Sequence, residues 1–235
     1  LYSNTTIVSF LPTLYGGSTD YLMPKFDARG YLEIVQREKI THTMLVPVQY
    51  KRIMDVADFD AFDLSSMQVK FSTSAPLRAE VKADVLARFP GKLLEYYGLT
   101  EGGGVTVLNS AEHPDKLHTV GQPAPGNEIR LIDETGAEVP KGAVGEICGR
   151  GPTMMAGYFG RDDLTADYIW RDAAGNVFFR SGDMGRFDED GFLILSDRKK
   201  DMIISGGLNI YADDLEPVSY THLRAHETEA DLVCR

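Results

Sequence analysis

Cysteine is nearly missing from this 235-residue chain, with only Cys148 and Cys234 present. Their spacing matches no metal-ligand pattern and builds no disulfide framework, so a reducing, cytosolic setting is the simplest expectation. Positive charge is also short. The 24 Lys and Arg face 35 Asp and Glu, for a formal net charge of −11. That balance argues against a nucleic-acid partner, because binding a phosphate backbone needs clustered cations. It does not forbid a small anionic ligand, which backbone N–H groups and one or two cations can hold. No run approaches the ~18 apolar residues of a membrane span. No basic-then-apolar leader opens the chain, and neither repeats nor low-complexity tracts occur.

What is present is ordinary globular material, 43% hydrophobic and 25% charged, with ample apolar content for a core. The first hundred residues alternate strand and helix signals. Asp27 is placed to cap a helix with apolar positions Tyr31, Ile34, Val35 and the later Ile40. A buried-strand run, Thr43 to Val46, stops at Pro47, and Val69 to Phe71 is another. Val81, Val85 and Phe89 share one face of a helix expected from Leu77 to Phe89, and Leu93 to Tyr97 reads as the next strand. Such alternation implies parallel strands with helices on their faces. From Val120 to Phe192 glycines and turns multiply. Strands are expected at 129–132, 145–148 and 177–179, with turns at Asp133 to Gly136 and Asp188 to Gly191. The fold class expected is therefore α/β, an alternating parallel subdomain followed by a small antiparallel, barrel-like one.

The densest chemistry is Tyr96-Tyr97-Gly98-Leu99-Thr100-Glu101-Gly102-Gly103-Gly104, placed after a strand. Open α/β sheets bind ligands at such strand ends. The Tyr97 ring can stack on a flat base, and Gly98 admits a ligand to the backbone. The Thr100 hydroxyl can donate to a phosphate oxygen, and Glu101 can hold Mg²⁺. A glycine-rich turn with a solvated Glu is the plain alternative. Upstream, Ser74-Ala75-Pro76 lets a ring lie against the backbone, and it equally suits a helix cap with Ser74 at N-cap and Pro76 at N1. In Arg180-Ser181-Gly182-Asp183, the carboxylate of Asp183 suits a vicinal diol such as a ribose, or an Asx-type turn. Asp197-Arg198-Lys199-Lys200, followed by Gly206-Gly207, joins two apolar strand runs and also suits a solvated hairpin. His42 and His113 are assigned no role.

The order and spacing of these blocks, with Gly145-Glu146-Ile147 through Gly157-Tyr158 between them, resemble the adenylate-forming superfamily of acyl-CoA synthetases, luciferases and peptide-synthetase adenylation domains. The resemblance runs from Leu1 to about Pro217 and is strongest to acyl-CoA synthetases of fatty and related acids. It implies activation of a carboxylic acid by ATP to acyl-AMP, then transfer to coenzyme A, with Mg²⁺ as the metal. It implies that Tyr97 stacks on adenine opposite Ser74, Ala75 and Pro76, with Tyr96 and Gly98 beside it. It gives Thr100 a phosphate contact and Glu101 the Mg²⁺. Asp183 would hold the ribose, assisted by Arg198. Lys200 would be the hinge of a rotating C-terminal domain, and Gly206 and Gly207 would line the coenzyme A tunnel. Gly102, Gly103 and Gly104 fall where the family's acyl pocket begins, so they either make room for a long or bulky acyl group or form a flexible turn.

The resemblance also exposes gaps. No glycine-, serine- and threonine-rich phosphate loop ending in Pro-Lys-Gly precedes these motifs, and no counterpart of the adenylation lysine follows them. The expectation is a truncated N-terminal domain with an apolar edge or face exposed. Residues 1–119 would be the α/β subdomain, 120–196 the β-rich one, and 197–217 the hinge and start of the mobile domain. Residues 218–235, which fit nothing expected of the family, are read as a non-native tail. The isolated chain is expected to have little or no synthetase activity. Loading of a carrier protein, or nucleotide binding without catalysis, are the alternatives.

Overall fold

The computed structural model describes the backbone of residues 4–198, 203–205 and 208–210, and side chains within 7–196. Helix α1 (Asn4–Tyr15) leads, and its Val8, Leu11, Leu14 and Tyr15 are exposed. Helix α2 (Ala28–Glu38) starts where Asp27 Oδ1 accepts the Gly30 N–H at 2.6 Å. It ends at Lys39, whose φ of 50° is left-handed, so Ile40 lies beyond the helix. Strand β1 (His42–Leu45) follows. Pro47 stops that strand and also opens helix α3 (Pro47–Met54), an element the apolar pattern did not reveal. A proline at the first helical position costs no hydrogen bond. Strand β2 (Val69–Ser72), helix α4 (Ala79–Arg88) and strand β3 (Lys92–Gly98) complete the alternation.

Strands β1, β2 and β3 are parallel neighbours, as expected. The sheet then continues antiparallel through β4 (Val105–Asn109) and β5 (Gln122–Pro123). Leu32, Val35, Tyr50, Ile53, Val85 and Leu93 are almost fully buried between helices and sheet. A second sheet carries β6 (Glu128–Ile132), β7 (Gly145–Arg150), β9 (Val177–Phe187) and β10 (Leu193–Arg198), all antiparallel. Short helix α5 (Asp162–Asp167) and strand β8 (Ile169–Arg171) precede β9, and β8 pairs with it. The expected turns are there: Asp133 and Asp188 each accept backbone N–H groups two and four residues on. A last pair, β11 (Ile203–Ser205) and β12 (Leu208–Ile210), is antiparallel. Among the described residues no helix is long and apolar enough to cross a membrane.

Candidate functional site

Because β2 and β3 run parallel, the segments leaving them emerge on one edge of the sheet. They form two walls of a cavity of about 340 Å³, within the range of small-molecule sites. Ser74, Ala75 and Pro76 line one side and Tyr96, Tyr97 and Gly98 another. The second sheet closes the cavity with Asp183 and Met184 of β9 and Leu195 and Ser196 of β10. Residues 74–76, 96–98 and 183, scattered over more than a hundred positions of sequence, thus share one space.

Two local features shape those walls. Ser74 is not a helix cap, since α4 begins only at Ala79. Its φ of 76° places it instead in the left-handed region, at a cost on the order of 1 kcal/mol for a residue with a Cβ. Asp183 is not on a turn between strands either, because β9 runs unbroken from Val177 to Phe187. A bulge interrupts its pairing: Glu146 faces Met184, yet Cys148 faces Arg180. Two extra residues of β9 are therefore accommodated there, with Gly182 at φ 74°. Ser181 Oγ donates to the Ile147 carbonyl at 2.8 Å and accepts the Asp183 N–H at 3.0 Å. Arg180 grips buried Glu146 through two hydrogen bonds of 2.6 and 3.1 Å just before the bulge. The bulge turns Asp183 inward, where its Oδ2 accepts the Tyr97 hydroxyl at 2.9 Å.

Glu101 lies outside the cavity lining. Its Oε1 accepts the Tyr158 hydroxyl at 2.8 Å, and its carbonyl accepts the Met155 N–H at 2.8 Å. Burial, and then the carboxylate beside it, push the Tyr158 hydroxyl up to about 12. Thr100 is exposed on the same turn. Among the described residues no group of three or more His, Cys, Asp or Glu could cage a metal. One carboxylate fits Mg²⁺ only as that ion is held in nucleotide sites, mostly by phosphate oxygens and water.

At the glycines after Glu101 the side-chain positions are already filled, which removes spare side-chain room as the ground for reading them as a pocket. A Cβ at Gly102 would lie 2.0 Å from the Thr153 carbonyl oxygen, and one at Gly103 2.6 Å from Phe179 Cβ. At Gly104 it would meet Ile129 Cδ1 at 2.8 Å. All three are buried, and protein fills the room their missing side chains leave.

Two residues escaped the sequence reading. Glu95 lines the cavity, and its Oε1 accepts the Leu77 N–H at 2.7 Å. Its other oxygen forms an ion pair with Lys82, and these side chains are 1% and 2% exposed. Lys82 Nζ also donates to the Leu117 and Thr119 carbonyls, both at 2.8 Å. Burial shifts both groups toward neutrality, raising Glu95 and lowering Lys82, and the pairing opposes each shift. The signal was Lys82 on the same stripe as Val85 and Phe89, and Glu95 two residues from Leu93 on the buried face of β3.

Arg198 pairs with Asp183 in the β9–β10 register, which brings its backbone beside the site, and its side chain lies outside the described residues. Lys200, Gly206, Gly207 and the tail at 218–235 also lie outside them.

A family model described as AMP-binding enzyme matches residues 1–159. The chain belongs to the AMP-binding enzyme family. Within it, a feruloyl-CoA synthase of an Amycolatopsis species is 38% identical, the match covering 89% of this chain and 42% of that protein. A long-chain-fatty-acid–CoA ligase of Bacillus subtilis is 36% identical over 94% of this chain and 39% of its own length. Among solved structures, the amide bond synthetase McbA of Marinactinospora thermotolerans superposes with a TM-score of 0.80 at 33% identity. That match covers 89% of this chain and 42% of McbA. The chain thus spans about two fifths of the length of the AMP-binding enzymes it matches. Its two-sheet α/β architecture is that of their N-terminal domains.

Proposed function

We propose that this chain carries the nucleotide half of an ATP-dependent acid–thiol ligase. In that reaction a carboxylate attacks the α-phosphorus of ATP, giving acyl-AMP and pyrophosphate. The thiol of coenzyme A then attacks the acyl carbon, and AMP leaves with the bonding electron pair. The observation that carries the reading is the cavity where Tyr97, Ser74 to Pro76 and Asp183 meet. An aromatic face and a carboxylate about one hydroxyl apart suit a base and the ribose attached to it. Tyr97 stacks on adenine against residues 74–76, and Asp183 accepts from the ribose hydroxyls. Thr100 donates to phosphate at the cavity mouth. Glu101 holds Mg²⁺, which when bound neutralises phosphate charge as the pyrophosphate separates. Arg198, opposite Asp183 in register, supplies positive charge near the ribose and phosphate. Lys200 is the pivot toward the thiol step, and Gly206 and Gly207 flank the thiol's path.

The acid is a fatty or aryl carboxylic acid, a choice framed by the names of the relatives. Transfer to an amine instead of a thiol is the second reading, favoured by the likeness to an amide bond synthetase. The chain itself, which spans about two fifths of the enzymes it matches, is expected to bind nucleotide and to turn over little. Carboxylate-dependent ATP–pyrophosphate exchange with a panel of fatty and aryl acids tests this. Turnover by this chain at the rate of intact ligases would contradict the second half of the reading, and failure to bind ATP or AMP would contradict the first.

A further inference from the structure

Of the buried pair Lys82 and Glu95, Glu95 lines the cavity and Lys82 reaches backbone carbonyls beside it. Glu95 Oε1 accepts the Leu77 N–H, the first backbone donor after Pro76, which has none. That bond anchors the end of the segment in which Ser74 holds its left-handed φ. Glu95 itself stands two residues before Tyr97 on β3. Lys82, on α4, donates to the Leu117 and Thr119 carbonyls, adjoining Val120, which also lines the cavity. One ion pair therefore ties together the wall at 74–77, the strand bearing Tyr97 and the segment 117–120. Replacing such a pair by apolar groups often costs no stability, so stability alone does not account for a pair that joins these three segments.

We propose that Lys82 and Glu95 are positioning residues that fix the three walls of the base-binding end of the cavity in advance of the ligand. This rests on the nucleotide reading of the cavity for its functional half. The preorganisation saves the ligand the cost of ordering these segments on binding. Neither residue touches the reacting atoms.

The experiment uses the whole chain and four variants: Glu95→Gln, Glu95→Leu, Lys82→Met, and Ile132→Ala as a control buried in a separate cluster. Amide hydrogen exchange without ligand reads the Leu77 N–H and residues 117–120, and calorimetry reads AMP affinity. Glu95→Gln keeps an acceptor for Leu77 and is expected to retain its protection within about threefold. Glu95→Leu is expected to lose about tenfold there, the usual effect of one hydrogen bond. Lys82→Met is expected to speed exchange at 117–120. Glu95→Leu and Lys82→Met are expected to weaken AMP about tenfold, while Ile132→Ala lowers the melting temperature and leaves exchange at these segments and AMP affinity in place. Unchanged exchange in Glu95→Leu and Lys82→Met, or equal AMP loss in the control, overturns the proposal. If the unmodified chain binds no AMP, the nucleotide reading fails, and the exchange results alone then decide whether the pair positions the walls.

Discussion

Two stretches of small residues flank the Tyr97 strand end, and they do opposite things. Ser74, Ala75 and Pro76, with Gly98 across from them, border open space. Gly102, Gly103 and Gly104 border Thr153, Phe179 and Ile129 with no space left. Small or missing side chains let other groups come near in both places. What faces them differs: a bulged stretch of β9 that leaves a cavity in one case, and the Thr153 turn with Phe179 and Ile129 in the other. Under the proposed function the first stretch serves a ligand, whereas the second lets two parts of the chain meet closely.

Substitutions can break or sharpen that contrast. The largest effect is expected at the seam. Gly102→Ala places a Cβ 2.0 Å from a backbone oxygen at φ 70°, and is expected to destabilise by more than about 3 kcal/mol, read by chemical denaturation. Gly98→Ala, whose Cβ would come no nearer than 3.3 Å to Val105 Cγ2, is expected to cost less than about 1 kcal/mol. Equal losses would erase the distinction. Next comes Tyr158→Phe, which removes the donor to Glu101. Its expected signature is a shift of several-fold in the Mg²⁺ concentration needed for ATP binding, about the net worth of one ordinary hydrogen bond, with the melt nearly unchanged. Smallest is Ser74→Gly. Relief of the left-handed φ and the added freedom of the unfolded chain nearly cancel, so stability is expected to move by less than about 1 kcal/mol.

Much of this molecule was legible in its sequence because local rules governed it. The Asp27 cap, the parallel run of β1 to β3 and the Asp133 and Asp188 turns all follow from side chains acting on their own neighbourhood. Helix α3 was hidden because Pro47 ends one element and begins another with a single residue. The Asp183 bulge was hidden because it arises from pairing with β7, thirty-odd positions away. The same holds for Lys82 and Glu95: each is an unremarkable charged residue until α4 packs on β3. The glycine triplet was open to two readings for a related reason, since a missing side chain states that something comes close and is silent on what.

The central claim is that the cavity beside Tyr97 is a nucleotide site. Calorimetric titration of AMP into the unmodified chain, Tyr97→Ala and Asp183→Ala tests it most directly. Saturable binding by the unmodified chain, weakened about tenfold or more in both variants with melting temperatures held, is the predicted result. Binding that both substitutions leave unchanged, or no binding at all, would contradict it.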